Sequence, residues 1–516
     1  MKIFKAEDVR EIDQYTIENE PISSIDLMER AATRLMTWYL RNYRINRKVV
    51  VMAGAGNNGG DALALARLLA ERQYQVTGFL VSRSGNLSDD CNVNLERLEK
   101  QGLVKISRIT DKADFPLLNE GDVVVDGLFG SGLSRVVEGI YAALIRHINN
   151  SAAEVISIDT PSGLFGEDNS GNDHGAIIQA SYTLTFQFPF LSFFFAENEK
   201  YTGNWTVLDI GLNREITENK TAMYAVAERE QVAGYLPERD KFAHKGIFGH
   251  ALVIAGSHGM MGAALLAGEA ALRGGAGLVT LHIPFSGTMI VQTKFPEAIV
   301  SCDQHETSFS EPPDLEKFDA IAVGPGLGNS AESSKGLRTL LRTITVPLVI
   351  DADALNLIAS RKDLLELIPG GAILTPHPLE FDRIAGKSKN GWERHKKQID
   401  FSVSRKLIIV LKGANTCISF PDGSSVFNVT GNPGMATGGS GDVLTGIIVS
   451  LLAQKIKPSD AAVAAVFIHG LAGDLAVENY SQEAMIAGDI IKWLGAAFNK
   501  VKARPYLHEG RTGGVL

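Results

Sequence analysis

The chain carries the stretch Gly431-Asn-Pro-Gly-Met-Ala-Thr-Gly-Gly-Ser-Gly-Asp442, and an apolar run at residues 443–452 follows it. The apolar positions recur at helical spacing, which predicts a glycine-rich turn that opens a helix. The first N–H groups of such a helix have no partner within it, and the helix dipole favours negative charge at the same place. We therefore expect an anion site, with Asp442 as a base for an attacking hydroxyl. The alternative is a tight strand-to-helix turn that Asp442 caps.

Length and composition restrict the classes of protein to consider. The 516 residues exceed what one core usually supports, so we expect two to four domains. A hydrophobic content of 45% with 21% charged residues is ordinary for a globular protein. The net charge of −9 provides no basic surface, so we expect no nucleic-acid partner.

The cysteines and the apolar segments indicate in which cellular compartment the protein is expected. Cys91, Cys302 and Cys417 lie far apart without a CxxC pair, which excludes a disulfide framework and a cysteine-rich zinc site. The N-terminal residues lack the apolar core of a signal peptide. The apolar stretch 251–283 is interrupted by charged residues and glycines, which predicts a buried strand–helix–strand rather than a membrane span. We expect a cytoplasmic protein with no membrane partner.

A second glycine-rich loop, Gly54-Ala-Gly-Asn-Asn-Gly-Gly-Asp61, lies between a predicted strand at 48–53 and a predicted helix at 62–71. It matches the pattern G-x-G-x-x-G. The usual dinucleotide fingerprint requires an acid after the next strand, but residues 82–84 read Ser-Arg-Ser, which disfavours a plain NAD dehydrogenase. A loop for another nucleotide, a nicotinamide dinucleotide held differently, and a tight turn without a ligand all stay open.

Two later strands in this half end in carboxylates, at Asp126 and Asp159. A glycine-rich loop at 127–135 follows the first, and Thr-Pro-Ser-Gly at 160–163 follows the second. The carboxyl ends of parallel strands meet at one edge of a sheet, where ligands of open α/β sheets bind. We therefore expect both carboxylates to share a site with the loop at 56–61, although either one alone could cap a loop.

These motifs, with Ile-Asp-Thr-Pro-Ser-Gly at 158–163, resemble the NAD(P)H-hydrate epimerase domain over about residues 1–215. The resemblance implies a catalytic carboxylate at Asp159. It implies that the hydrated dinucleotide is bound by Asn57, Asn58, Gly59, Gly60, Asp61, Gly130, Ser131, Gly132, Leu133, Ser134, Arg135, Val136 and Asp159. It implies a potassium ion held by Asn58, Asp126 and Ser162, and oxygen ligands suit such a hard cation. The family usually has a lysine shortly after the Thr-Phe strand, where this chain has an aromatic run at 186–195 that we expect to be core or subunit interface.

After a charged segment near 215–225, where we place the domain boundary, strands again alternate with helices. Successive strands end in the loops Gly-Pro-Gly-Leu-Gly (324–328), Asp-Ala-Asp-Ala-Leu-Asn (351–356), Thr-Pro-His-Pro-Leu-Glu (375–380) and Lys-Gly-Ala-Asn-Thr (412–416). The alternation predicts a layered α/β/α domain. Lys412 offers a cation for nucleotide phosphate, although no Walker A loop is present. Each loop taken singly could be only a turn or a helix cap.

The series as a whole resembles the ribokinase-like superfamily and, within it, the ADP- or ATP-dependent NAD(P)H-hydrate dehydratase, over about residues 226–500. The resemblance implies that the hydrated dinucleotide contacts Ala263, Gly326, His377 and Asp442. It implies that the adenine nucleotide contacts Lys412, Gly413, Ala414, Asn415, Thr416 and Gly441. Glu380 lies where superfamily kinases often manage magnesium.

The chain is thus expected to contain a Rossmann-like α/β/α domain at 1–220 and a ribokinase-like α/β/α domain at 221–516. The first would epimerise NADHX or NADPHX, and the second would dehydrate the S epimer with ADP or ATP and a magnesium ion. We expect a homo-oligomer whose other partners are small molecules. Two rival hypotheses are a true kinase of a vitamin-like alcohol, and a binding module related to the adaptors of mRNA decapping. Asn58, Asp126 and Asp159 argue against the binding module.

Overall fold

The computed structural model describes residues 1–82 and 85–503 of the chain. It divides into one unit of Met1–Tyr224 with Asn390–Trp392, and another of Ala225–Lys389 with residues 393–503. Strands and helices alternate along both units, so the predicted α/β class is present in each. The Ser-Arg-Ser segment at 82–84 lies mostly outside the described residues.

The first unit is built on a parallel sheet. The strands of this unit are β1 (Lys2–Ile3), β2 (Lys48–Ala53), β3 (Gln75–Val81), β4 (Lys105–Ile109), β5 (Val123–Gly127), β6 (Glu154–Ile158), β7 (Tyr182–Phe186) and β8 (Asn204–Leu208). The last seven of these form a sheet in the order β4-β3-β2-β5-β6-β7-β8, in which neighbouring strands are parallel. The strand order reverses between β2 and β5, which is where open α/β sheets bind ligands.

Helices cover both faces of this sheet. They are α1 (Ala6–Asn19), α2 (Ser24–Asn42), α3 (Asn57–Glu71), α4 (Asp89–Gln101), α5 (Gly139–Asn149), α6 (Glu199–Thr202) and α7 (Arg214–Asn219). Short 3₁₀ turns lie at Lys112–Asp114, His174–Ala176, Leu191–Phe194 and Ala196–Asn198. Val49 and Val51 pack in one core cluster while Val50 and Met52 pack in the other, because side chains alternate across a strand.

The aromatic run that follows β7 is part of the core. Phe190, Phe193, Phe194 and Phe195 are all buried. Phe188 is also buried and meets Phe4 edge to face, with ring centroids 4.8 Å apart. The expectation that these rings belong to a core is therefore confirmed.

The second unit is built on a larger mixed sheet, and β9 (Tyr224–Val226) lies where the chain enters it. Its strands are β10 (His250–Ile254), β11 (Leu278–Ile283), β12 (Ile299–Cys302), β13 (Ala320–Val323), β14 (Leu348–Ile350), β15 (Ile373–Leu374), β16 (Ile408–Leu411), β17 (Thr416–Ser419) and β18 (Ser425–Asn428). They follow the order β18-β17-β16-β15-β14-β13-β10-β11-β12. Strands β10 to β16 pair in parallel, while β17 and β18 add an antiparallel hairpin. The order reverses between β10 and β13, so a second ligand-binding edge is expected there.

The helices of this unit also form two layers. They are α8 (Arg229–Tyr235), α9 (Met261–Arg273), α10 (Thr288–Lys294), α11 (Ala331–Thr343), α12 (Ala352–Ser360), α13 (Lys362–Leu365), α14 (Pro378–Ala385), α15 (Gly391–Arg405), α16 (Ser440–Ala453), α17 (Pro458–Val477) and α18 (Ala487–Lys502). Short 3₁₀ turns lie at Phe285–Gly287 and Pro433–Met435. Helix α16 is buried along almost its whole length. It lies close to α9 at Gly446, which has no side chain. A Cβ at this position would lie 2.2 Å from the carbonyl oxygen of Ala267.

Candidate active sites

The first unit has a cavity of about 680 Å³ at the edge where its strand order reverses. The predicted residues that line it are Asn57, Asn58, Asp61, Gly130, Ser131, Gly132, Leu133, Ser134, Arg135 and Asp159. Gly59, Gly60 and Val136 do not line it. Gly59 instead allows a close backbone approach, because a Cβ there would lie 1.9 Å from the carbonyl oxygen of Gly54.

Asp159 holds an unusual backbone conformation at this edge. Its φ is 64°, which a residue other than glycine seldom adopts and which is often found at functional positions. The Ser131 N–H donates to Asp159 Oδ2 at 2.9 Å. Burial raises the pKa of Asp159 above its ordinary value, while hydrogen bonds from Ser131 and the Phe186 N–H oppose that rise. The carboxylate is therefore fixed in place and faces the cavity.

Asp126 is buried next to the same edge and is held by donors. It accepts hydrogen bonds from Ser157 Oγ at 2.8 Å, from the Ser162 N–H at 2.9 Å and from Ser162 Oγ at 2.6 Å. Burial raises the pKa of Asp126, and these donors oppose the rise. The structure thus brings together Asp126 and Ser162, two of the three residues expected to hold potassium.

Asn58 supplies an acceptor that the protein leaves unsatisfied. Its amide nitrogen donates to the Ile158 carbonyl at 3.3 Å. Its buried Oδ1 has no hydrogen-bond partner among the residues that the structure describes. A buried acceptor without a donor is costly, and a bound cation would remove that cost. Within the described ranges no group of three or more His, Cys, Asp or Glu could hold a metal, so amide and hydroxyl oxygens would have to contribute.

In the second unit, the stretch that begins at Gly431 leads into α16 as the sequence predicts. Gly439 has φ of 91° immediately before the helix, a conformation that favours glycine. A Cβ on Gly441 would lie 3.3 Å from Lys412 Nζ, so this glycine lets the ammonium approach the first turn. Nearby, burial lowers the pKa of His469 to about 4, and its Nε2 lies 3.4 Å from Ser440 Oγ. The N–H groups at the helix start and the Lys412 ammonium together supply donors for a phosphate group.

Lys412 is held by a buried carboxylate. Its Nζ donates to Asp351 Oδ1 at 2.8 Å, and Thr445 Oγ1 donates to Asp351 Oδ2 at 2.7 Å. Burial alone would lower the pKa of Lys412, but Asp351 and, more weakly, Glu380 and Asp442 raise it above its ordinary value. Lys412 therefore stays charged and is positioned by Asp351.

Asp442 lies in the first turn of α16. Its pKa is raised to about 7, first by burial and then by the charge of Asp351, while Lys412 opposes the rise. A carboxylate with this pKa can accept a proton and release it again near neutral pH. The residue is therefore suited to act as a base for a hydroxyl group.

Ala263, in the first turn of α9, meets Gly326 in the loop after β13. A Cβ on Gly326 would lie 3.0 Å from the Cβ of Ala263 and 2.8 Å from the Met260 carbonyl oxygen, and its φ is 60°. Ser257 Oγ donates to the Gly326 carbonyl at 2.8 Å, which ties the loop after β10 to the loop after β13. These predicted dinucleotide contacts are adjacent at the edge where the strand order reverses.

His377 and Glu380 cap the start of α14. His377 Nδ1 accepts hydrogen bonds from the Leu379 N–H at 3.1 Å and the Glu380 N–H at 3.4 Å, so Nδ1 carries no proton. Glu380 Oε2 in turn accepts the His377 N–H at 2.9 Å. One carboxylate oxygen of Glu380, the residue associated with magnesium, is thus used by the cap.

The predicted nucleotide loop follows β16. The Lys412 N–H donates to the Pro376 carbonyl at 2.9 Å, which joins this loop to the one that contains His377. Thr416 Oγ1 donates to the Gly413 carbonyl at 3.0 Å. Gly413 and Ala414 are exposed and Asn415 is half-buried, so the loop presents its backbone to solvent beside Lys412.

Two family models match the chain. One is described as YjeF-related protein N-terminus and covers residues 24–191, and the other as NAD(P)H-hydrate dehydratase and covers residues 251–495. A bifunctional NAD(P)H-hydrate repair enzyme Nnr from Moorella thermoacetica is 36% identical over 511 residues, which is 96% of each chain. The enzyme of the same name from Coxiella burnetii is 36% identical, with 96% of this chain and 99% of that protein covered.

This chain is a member of the bifunctional NAD(P)H-hydrate repair enzyme family. Its predicted fold class, α/β with an N-terminal Rossmann-like and a C-terminal ribokinase-like domain, is confirmed. A crystal structure of the ADP/ATP-dependent NAD(P)H-hydrate dehydratase from Bacillus subtilis, with ATP and Mg²⁺, is 33% identical. The match spans 54% of this chain and 98% of the Bacillus subtilis chain, with a TM-score of 0.48.

In this family member, α1 lines the first cavity, which the sequence patterns did not predict. Val9, Arg10 and Asp13 contribute to its wall, although none of the three is among the residues expected at this site. A Cβ on Gly132 would lie 2.8 Å from Arg10 Nη2, so the guanidinium lies against the loop after β5. The three-residue spacing of Arg10 and Asp13 places them on one helix face, which is the signal that could have identified them.

One helix of this repair-family chain has the length and composition of a membrane-spanning helix. Within residues 1–82 and 85–503, α17 is the one helix long and apolar enough to cross a membrane by length and composition. Most of its residues are buried inside the second unit, and core helices pass the same test. No membrane role follows from this helix.

Proposed function

We propose that the chain repairs hydrated nicotinamide cofactors. Its first domain, residues 1–220, interconverts the R and S epimers of NADHX or NADPHX. Its second domain, residues 221–516, dehydrates the S epimer at the expense of ADP or ATP. The observation that carries the proposal is the presence of two acid–base sites, at Asp159 and Asp442, in one chain of a family named for this repair.

Dehydration begins with phosphoryl transfer to the ring hydroxyl of the S epimer. Asp442 takes the hydroxyl proton as the oxygen forms a bond to the terminal phosphorus and the phosphorus–oxygen bond of the nucleotide breaks. The phosphate then leaves with the electron pair of the carbon–oxygen bond, and loss of a proton from the adjacent carbon restores the ring double bond. Phosphorylation thus turns a poor leaving group into a good one.

The remaining residues of this site bind and neutralise charge. Lys412 and the N–H groups at the start of α16 stabilise the charge that develops on the phosphoryl group. We assign the hydrated dinucleotide to Ala263, Gly326, His377 and Asp442. We assign the adenine nucleotide to Lys412, Gly413, Ala414, Asn415, Thr416 and Gly441. A magnesium ion would accompany the nucleotide, since it usually binds through one or two carboxylates and substrate phosphates, and Glu380 is the candidate carboxylate.

In the first domain, Asp159 acts as the catalytic carboxylate. The dinucleotide is assigned to the loops at 57–61 and 130–136. Potassium is assigned to Asn58, Asp126 and Ser162, which is supported by the unsatisfied Oδ1 of Asn58. The ion would supply a positive charge beside the dinucleotide loops. A cytoplasmic location and a homo-oligomeric state stay predictions.

Two single substitutions test the proposal in the full-length chain. Asp442→Asn removes the base, so neither epimer of NADHX should return to NADH when ADP or ATP is supplied. Asp159→Ala should leave the S epimer reacting at its normal rate, while the R epimer returns only as fast as it epimerises spontaneously. Each variant therefore serves as the control for the other. Accumulation of a stable phosphorylated product by the wild-type chain would instead favour the rival kinase hypothesis.

A further inference from the structure

Helix α1 presents two opposite charges to the first cavity. Arg10 and Asp13 both line it and are three residues apart, a spacing at which oppositely charged side chains commonly pair. They do not pair here. Among residues 1–82 and 85–503, neither side chain makes a hydrogen bond or an ion pair with any other residue. Asp13 is thus left free to meet a ligand in the cavity.

Burial and a neighbouring carboxylate favour the protonated form of Asp13. Its pKa is raised to about 7, first by burial and then by the charge of Asp159. Asp159 accepts hydrogen bonds that stabilise its ionised form, whereas Asp13 accepts none from the described residues. The other charged or titratable groups around the cavity are Arg10 on the same helix, Asp61 on α3, Arg135 in the loop after β5 and Tyr141 on α5. Burial and the charges of Asp159 and Asp13 raise the pKa of Asp61 well above its ordinary value. Of the two carboxyl groups, Asp13 is therefore the one better placed to carry a proton and Asp159 the one better placed to accept one.

Exchange of the two epimers needs one proton donor and one proton acceptor. When an enamine is hydrated, a proton adds first to the double-bond carbon that is remote from nitrogen. The positive charge is then on the carbon bonded to nitrogen, so water adds there and the hydroxyl is on that carbon. The hydroxyl leaves as water after it accepts a proton, taking the carbon–oxygen electron pair, and the nitrogen lone pair forms a C=N⁺ bond. A water molecule then adds to the other face and gives up a proton to a base.

We propose that Asp13 is a second catalytic residue of the epimerase site, which donates a proton to the leaving hydroxyl while Asp159 accepts one from the entering water. The inference rests on the proposed epimerase function. In the reverse direction the roles exchange, so Asp159 donates and Asp13 accepts, as microscopic reversibility requires. Solvent returns the proton between turnovers. A pair of carboxyl groups with one proton can therefore serve both directions of an epimerisation.

The full-length chain contains its own coupling enzyme for the test. With racemic NADHX and excess ADP or ATP, the S epimer returns to NADH in a first phase and the R epimer follows at the rate of epimerisation. We expect Asp13→Asn to slow the second phase about 100-fold, the low end for general acid–base catalysis, with KM within about threefold of wild type. Asp13→Glu should restore part of the rate. The first phase should not change.

The pH profile provides a readout that a merely structural role would not affect. Asp13 donates only while protonated, so its raised pKa of about 7 predicts that the wild-type second phase slows as pH rises above 7. This decline should be absent in Asp13→Asn after the spontaneous rate is subtracted. Glu18→Gln, an exposed change on the same helix, is the matched control and should alter neither phase.

Three outcomes separate the hypotheses. If Asp13→Asn keeps the second phase within about threefold of wild type while Asp159→Ala loses it, the proposed function stands and the role of Asp13 is refuted. Loss of the second phase in Asp61→Asn but not in Asp13→Asn would also overturn it. If Asp159→Ala keeps a rapid second phase, the epimerase assignment itself fails.

Discussion

The rate of dehydration should depend on pH through Asp442. This carboxylate accepts a proton only when ionised, and its pKa is raised to about 7. With that pKa, roughly one molecule in eleven is ionised at pH 6 and ten in eleven at pH 8, so kcat/KM for the S epimer should rise about tenfold. A carboxylate at its ordinary value of 3.8 would be almost fully ionised at both and predict no rise.

The measurement follows NADH absorbance during the first phase, with nucleotide kept saturating at each pH. The phosphates of the nucleotide also titrate in this range, so a second variant is needed to assign the effect. Asp351→Asn removes the neighbouring charge that raises the pKa of Asp442. The rising limb should therefore move to lower pH in this variant, whereas a limb caused by the nucleotide would not move.

The same variant should weaken the response to nucleotide. Lys412 loses the carboxylate that accepts its hydrogen bond at 2.8 Å, so the KM for ADP or ATP should increase. A profile that is flat between pH 6 and pH 8 in the wild-type chain would refute the reasoning about Asp442. So would a rising limb that stays in place when Asp351 is replaced.

Three further predictions concern other parts of the structure. Gly59→Ala should destabilise the first unit by about 1–3 kcal/mol, because the new Cβ would lie 1.9 Å from the Gly54 carbonyl oxygen. A Cβ at Gly56 would meet nothing within 4 Å, so Gly56→Ala is the control and should change the melting temperature little. Gly326→Ala should abolish dehydration but not R-to-S exchange, which can be followed by separating the two epimers chromatographically; loss of both would count against the assignment of Gly326. Replacing potassium with sodium should slow the second phase of the wild-type chain. Asn58→Leu should remove any difference between the two salts. An ion effect that persists in this variant would contradict the proposed site.

Much of the framework was predictable because it depends on local patterns. Strand β2 was predicted at residues 48–53 and lies at Lys48–Ala53, since a short apolar run that ends at a glycine-rich loop favours a buried strand. The glycine-rich stretch before Asp442 opens a helix as expected. Polar residues at parallel strand ends meet at one edge whatever the details of packing, which is why Asp126 and Ser162 come together.

Other features depend on contacts that sequence order does not reveal. The helix predicted at 62–71 begins already at Asn57, because the first turn accommodates Gly59 and Gly60, which the pattern assigned to a loop. That α1 covers the first cavity is a matter of tertiary packing, since Asp13 and Asp159 are far apart in the chain.

The pairing of Asp351 with Lys412 is of the same kind. The sequence suggested a helix cap for the first residue and a phosphate contact for the second. Their ion pair appears only when β14 and β16, the strands that precede them, take their places in one sheet with β15 between.

The central claim is that one chain restores both epimers of a hydrated nicotinamide cofactor. The most direct test incubates the wild-type chain with racemic NADHX and ADP or ATP and measures the total NADH recovered from its absorbance. We expect complete recovery in two phases, first from the S epimer and then, faster than spontaneous epimerisation allows, from the R epimer. A second phase no faster than spontaneous epimerisation would contradict the epimerase, and no recovery of NADH with either nucleotide would contradict both activities.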